Sequence, residues 1–311
     1  MVSRYSLILL LGVFLVGCRP ATPPAPVGLT QTAPAPVIQT SSGSATSTSV
    51  PQEAKEILDA QYQLGATDAL RVIQLTNGKF EQGATGGADA VSVAVSDFVA
   101  VGDLNGDGTN EVAALISENY GGSGVFVFLA VYSSYHGKLT FQNSTMVDDR
   151  PQLNGLSIGS GEIFLDAVIH GPDEPMCCPA LRTMRHYRFI DNQLDMVDYT
   201  TFTPDGKSRT ISIDSPANGT EVFTSVPVKG KVEIAPFENN LAYRIYDVSG
   251  IELSAGPISV SAPGPGAPGT FDALIPLGNI LSGSVIRIEV QDLSAKDGSL
   301  LAMDSVELVV K

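Results

Sequence analysis

Residues 285–293 read VIRIEVQDL, and their alternation decides the fold of the C-terminal third. Ile286, Ile288 and Val290 fall on one face of an extended chain, and Arg287 and Glu289 on the other. Successive side chains of a strand point to opposite faces, so this pattern predicts a half-buried strand. Phe271, Ala273 and Ile275 alternate in the same way. Working outward, Ile211–Pro216, Val226–Ile234, Leu241–Asp247, Ile251–Val260, Gly269–Leu277 and Ser305–Val310 also read as strands. Short strands at this density, joined by Gly, Pro, Asn and Asp clusters, predict an immunoglobulin-like sandwich over residues 209–311. This stretch has neither a Cys pair nor Trp, so apolar burial alone must hold its sheets together.

Upstream, residues 52–205 change period. QEAKEILDAQYQL carries Ala54, Ile57, Leu58 and Tyr62 near helical spacing and predicts a short amphipathic helix. Arg71–Leu75, an Asn77-Gly78 turn and Lys79–Glu81 read as a hairpin. Val91–Val101, Glu111–Ser117, the long apolar Gly124–Ser134 (GVFVFLAVYSS), Leu139–Phe141, Ile163–Ile169 and Arg185–Ile190 follow as strands. The connections are too short for crossover helices, so the sheet should be mainly antiparallel. The expected fold class is mainly β: an antiparallel β domain with a short N-terminal helix, followed by an immunoglobulin-like β-sandwich.

One loop of the first domain carries metal chemistry. In Gly102-Asp103-Leu104-Asn105-Gly106-Asp107-Gly108-Thr109-Asn110-Glu111, oxygens of Asp103, Asn105, Asp107 and Glu111 stand at alternate positions, and Thr109 can add its carbonyl. Hard oxygen ligands in this order suit calcium. Residue 114 is Ala, so the bidentate Glu that closes an EF-hand is missing. The loop resembles the Asp-x-Asn-x-Asp-Gly loops of integrin-type FG-GAP repeats, but a single copy excludes a propeller. The other reading is a turn in which Asn-Gly and Asp-Gly supply left-handed backbone and the carboxylates are solvated.

The stretch HGPDEPMCCPALRTMRHYRF holds the remaining chemistry. Cys177 and Cys178 are adjacent between prolines. Outside the cytoplasm they can form a vicinal disulfide, stay reduced, or bind a metal or another chain. The vicinal bond is favoured, because the prolines already impose a turn. His170, Asp173 and Glu174, with Asp166 on the preceding strand and His186 beyond, could form an acid–base or metal site. No HExxH, GxSxG or phosphate-binding Gly loop accompanies them, so structural histidines are the plainer expectation. The Asp-rich loop, Gly121-Gly122-Ser123-Gly124 and the Cys-Cys-Pro run together resemble bacterial lipoproteins of the LppP/LprE type over most of 90–190, a group that implies no catalytic activity. The series Ser215–Val222, Val228–Val232, Phe237–Asn240, Tyr243–Asp247 and Asp292–Ser299 resembles the immunoglobulin-like domain of bacterial spore-germination and other envelope proteins. That resemblance implies a sandwich used for interaction.

The N-terminus reads as an address. Arg4 precedes an apolar run, Leu7 to Val16, which ends in Leu15-Val16-Gly17-Cys18. The run is shorter than the roughly 20 residues a spanning helix needs and has the layout of an export signal. Its end resembles the bacterial lipobox, which implies cleavage after residue 17 and acylation of Cys18, including palmitate-type chains. Two acyl chains anchor stably where one does not. Residues 18–51 are rich in Pro, Ser and Thr and predict a disordered tether with a reach of about 30 Å. Beyond it, residues 52–311 carry 16 basic and 33 acidic side chains, which argues against a nucleic-acid partner. The expected function is a non-catalytic binding or scaffold lipoprotein on the extracytoplasmic face of the membrane, with an envelope protein or polysaccharide as ligand. The alternative is an envelope hydrolase or redox enzyme using His170, Asp173, Glu174, Cys177 or Cys178.

Overall fold

The computed structural model describes residues 52–66, 71–135, 138–190 and 192–311. The described residues form one compact unit. The signal, the tether and Cys18 lie outside the described residues. Helix α1 (Gln52–Glu56) passes into a 3-10 turn (Ile57–Asp59). Then come β1 (Gln61–Gln63), β2 (Val72–Gln74), β3 (Lys79–Gln82), β4 (Val91–Gly102), β5 (Glu111–Asn119), β6 (Phe126–Tyr135) and β7 (Lys138–Asp149). β3 to β7 form a sheet in sequence order, while β1 and β2 pair only with each other.

β5 and β6 explain why their sequence is apolar throughout. Val112, Ala114, Ile116, Ala130 and Tyr132 face one core, closed by Ile57, Tyr62, Ile73 and Leu75. Ala113, Leu115, Val127, Leu129 and Val131 face a second core on the opposite side. That second core is completed by β8 (Gln152–Gly159), β9 (Glu162–Ile169), β10 (Leu181–Ile190) and β11 (Gln193–Phe202). A strand covered on both faces loses its polar alternation. The expected helix over 52–64 is shorter than its pattern. It unwinds after Asp59 because Tyr62 is drawn into the core, where its hydroxyl meets the Glu118 carboxylate at 2.5 Å. The Asn77-Gly78 turn forms, with both residues at positive φ, but the flanking strands part after the Thr76–Lys79 bridge. β2 turns to β1, and β3 to β4.

The C-terminal part adds β12 (Ser208–Arg209), β13 (Ile211–Ser215), β14 (Thr220–Val222), β15 (Ser225–Val232), β16 (Asn240–Asp247), β17 (Glu252–Ser261), β18 (Gly269–Pro276), β19 (Val285–Leu293) and β20 (Leu300–Val310). It is an immunoglobulin-like sandwich. β17 pairs with β16 along most of its length and with β18 at Val260 and Ser261, so it passes from one sheet to the other. Among the described strands, β14–β20 is the one parallel pair. The core between the sheets is apolar, with Val226, Val228, Ile245 and Ile288 fully buried. Burial of each such side chain contributes about 1.5–3 kcal/mol.

The two halves share hydrogen bonds. β20 pairs with β11 at Asp198–Asp304, Tyr199–Met303 and Thr200–Ala302. A continuous strand order therefore runs β16-β19-β20-β11-β10-β9-β8. Arg188 reaches Glu307 at 2.7 Å, Arg287 reaches Asp195 at 2.8 Å, and Thr201 Oγ1 donates to the Leu301 carbonyl at 2.6 Å.

Candidate functional site

The loop between β4 and β5 is closed by its own amides. Asp103 accepts from the N–H groups of Gly106 at 2.7 Å and Gly108 at 2.9 Å. Asn105 accepts from the Asp107 amide, and Asp107 from the Thr109 amide, whose bond holds the Asp107 carboxyl below its ordinary pKa. Glu111 is buried and accepts from Leu104 N–H at 2.9 Å. Burial first, then the nearby Asp107 and Asp103 charges, pushes the Glu111 pKa up. Among the described residues, no three His, Cys, Asp or Glu side chains gather at metal-holding distance. A calcium ion here would thus depend on Asn105 and the Thr109 carbonyl as well as on carboxylates, each of whose oxygens keeps a lone pair after accepting one amide.

The Cys177–Cys178 side chains are in disulfide-like contact on an exposed loop that leaves β9 and returns to β10. Glu174 shapes this loop. Its carboxylate accepts from Gly171 N–H at 2.9 Å and Ala180 N–H at 2.8 Å, and the Gly171 bond is the main reason its pKa lies below the ordinary value. Asp166 instead pairs with Arg182 at 2.8 Å. His186 sits apart with Glu162 at 3.6 Å, and burial lowers its pKa.

His170, Asp173 and Glu174 do come together, on the wall of a cavity of about 660 Å³. Leu181, Arg185, Met196 and Tyr199 form its floor in the first half, and Ser299, Leu300 and Leu301 close it from the immunoglobulin-like half. Asp173 pairs with Lys296. Cys177 and Cys178 are not among the lining residues. His170 is held by Asp148, which accepts from its backbone N–H at 2.6 Å and lies 2.9 Å from its Nδ1. The His170 Nε2 is buried without a partner among the described residues, and so is the Arg185 Nε.

Arg185 and Asp148 were not singled out in the sequence. Arg185 looked like one basic residue of an alternating strand, and only the fold reveals that it points inward, 6% exposed. Asp198 and Asp304, likewise unsignalled, face each other across the seam. Burial, then the neighbouring carboxylates, raises Asp198 to about 7, and burial raises Asp304 to about 6.

A second groove, of about 580 Å³, lies beside the first and shares Leu301 with it. Pro236, Phe237, Asn239, Leu293 and Lys296 line it, so the Phe237–Asn240 and Asp292–Ser299 segments meet at one end of the sandwich. Glu238 and Asn239 adopt left-handed backbone there, and Phe237 is 68% exposed. No curated protein matches the chain. Residues 210–299 match the family model described as Gmad2, the immunoglobulin-like domain of bacterial spore germination, so the sandwich half of this chain is similar to that domain.

Proposed function

We propose that the chain is a cell-envelope lipoprotein whose folded body is a non-catalytic binding module. Cys18 carries the acyl chains, the Pro/Ser/Thr-rich segment spaces the body from the membrane, and the first half belongs with the LppP/LprE-type lipoproteins. An envelope protein, a polysaccharide or a smaller envelope component is the ligand. The observation that carries the binding role is the large, mostly apolar cavity where the immunoglobulin-like half meets the His170 loop. Cavities of this size, with few convergent polar groups, are the usual form of a small-ligand site. Calcium at Asp103, Asn105, Asp107, Thr109 and Glu111 has a structural role in this scheme, bracing the turn between β4 and β5.

Metabolic labelling with palmitate tests the anchor. Label in the wild type and none in Cys18→Ser supports it; equal labelling, or none in either, overturns it. A second reading, an envelope hydrolase, draws on one observation: His170, a residue that lines the cavity, is oriented by Asp148 and its buried Nε2 has no partner among the described residues. Such a pair is the oriented-base half of a catalytic arrangement. Among the described residues, no hydroxyl or thiol hydrogen-bonds to that nitrogen. Hydrolysis of ester or amide substrates that His170→Ala abolishes would favour the enzyme.

A further inference from the structure

The cavity at the seam has a specific chemical deficit. Its carboxylates are engaged, Glu174 with two amides and Asp173 with Lys296, and Asp148 behind it is engaged with His170. Its buried nitrogens are engaged only in part. Arg185 carries a permanent charge, donates from Nη1 to the Val147 carbonyl at 3.2 Å, and lies 5.6 Å from the Tyr199 ring centre. No described carboxylate pairs with it, and its Nε has no partner. A buried guanidinium without a counter-charge is costly, and that cost is relieved when an anion enters. The His170 side chain is 7% exposed, and its Nε2 is a second buried nitrogen without a partner, on a residue that lines the same cavity. Asp148 lies behind its Nδ1 and fixes the orientation of the ring. Ile169, Pro172, Leu181, Met196, Leu300 and Leu301 make most of the remaining wall apolar.

Building on the binding role proposed above, we propose that this cavity takes an amphipathic organic acid. Its carboxylate is held by Arg185, beside His170, and its hydrocarbon body lies against Leu181, Met196 and Leu301. A free sugar or phosphate would leave these apolar walls against water or polar groups. A neutral apolar molecule would leave the guanidinium unpaired.

Isothermal titration of the full chain with octanoate and with octanamide separates these ligands, because the two differ in charge and hardly in shape. The expected result is one octanoate per chain and at least tenfold weaker binding of octanamide. Arg185→Met brings the two affinities within about twofold and does not lower the melting temperature, since an unpaired buried charge gives way to an apolar chain of similar length. Leu301→Trp fills the cavity from its other wall and removes octanoate binding. Equal affinity of the wild type for both probes overturns the anion assignment while leaving the binding module standing. Octanoate binding that survives Leu301→Trp, or no binding of either probe, overturns the proposal, whereas only the labelling of Cys18 bears on the anchor.

Discussion

The two halves of the body are both antiparallel β structures, yet they are held together differently. The immunoglobulin-like half has one core, and that core is aliphatic and aromatic. The N-terminal half has two cores on opposite faces of one sheet, and its buried carboxylates Glu111, Glu118 and Asp149 accept from loop amides, whereas the buried Glu289 and Asp292 of the sandwich pair with Arg287 and Arg209. Each of the first three carboxylates ties down a loop. Glu118 accepts from the hydroxyls of Tyr62 and Tyr120, each at 2.5 Å, and from the amides of Gly65 and Ala66. Asp149 takes the Val125 amide and the Arg150 guanidinium, whose bond holds its pKa low. A sandwich with short turns can close on apolar burial alone, while a sheet crowned by long loops needs buried acceptors for loop amides. Among the described residues the buried side-chain atoms without a partner are the Tyr132 hydroxyl in the first-half core, His170 Nε2 and Arg185 Nε on residues that line the seam cavity, and Arg287 Nε.

The largest expected effect separates the two modes of cohesion. Glu118→Ala strips one acceptor from four donors and should cost about 4 kcal/mol or more in urea unfolding. Ile245→Ala in the sandwich should cost about 2–5 kcal/mol through its cavity alone. A loss below about 1 kcal/mol for Glu118→Ala would end the distinction between an aliphatic half and a carboxylate-braced half.

The next effect belongs to the seam. Asp198 and Asp304 have folded pKa values of about 7 and about 6, above the ordinary carboxyl value. The folded state therefore binds more protons than the unfolded chain between those values. Their contribution is complete below about pH 4 and is lost as pH rises through 6 and 7. Stability should fall by roughly 2–3 kcal/mol from pH 5 to pH 8, given about 1.4 kcal/mol per pKa unit and coupling between the two groups. His186, with its lowered pKa, opposes this weakly on the acid side. Asp198→Asn should flatten the profile; an unchanged slope would show that the seam does not carry the titration.

Smaller effects probe the loops. If calcium braces residues 103–111, millimolar calcium should raise the melting temperature by a few degrees, in line with about 2.7 kcal/mol at a hundredfold excess over Kd. Asp103→Asn should remove the rise, and a melting temperature indifferent to calcium would leave the turn to its amides. Reduction of Cys177–Cys178 should add two hydrogens to the intact mass and change the melting temperature by less than about 1 °C, because the ring it opens is the smallest possible and exposed. A large drop would mean that the Cys177–Cys178 bond, and not Glu174, shapes the loop.

Much of this architecture could be read in the sequence, for reasons that also explain what could not. Strands with one wet face announced themselves: Ile286, Ile288 and Val290 alternate with Arg287 and Glu289, and the family match covers that region. β8 and β11 went unread. β11 carries a bulge opposite His186 and Tyr187, which breaks its period of two between Met196 and Asp198. β8 is polar for a strand and shifts register at Asn154. The grouping of His170, Asp173 and Glu174 was visible as a motif because the three are neighbours in the chain. Arg185 and Leu301 were not visible, because their meeting depends on β20 pairing with β11, a contact spanning about a hundred residues. A site assembled by long-range pairing leaves no local spacing to read.

The central claim, that the ligand site lies at the seam between the halves, is tested most directly by methyl NMR of the chain titrated with octanoate. The account predicts saturable shifts confined to Ile169, Leu181, Met196, Leu300 and Leu301, the methyl-bearing residues of that cavity. Shifts centred on Ile234 and Leu293 in the neighbouring groove, or none at all, would contradict it.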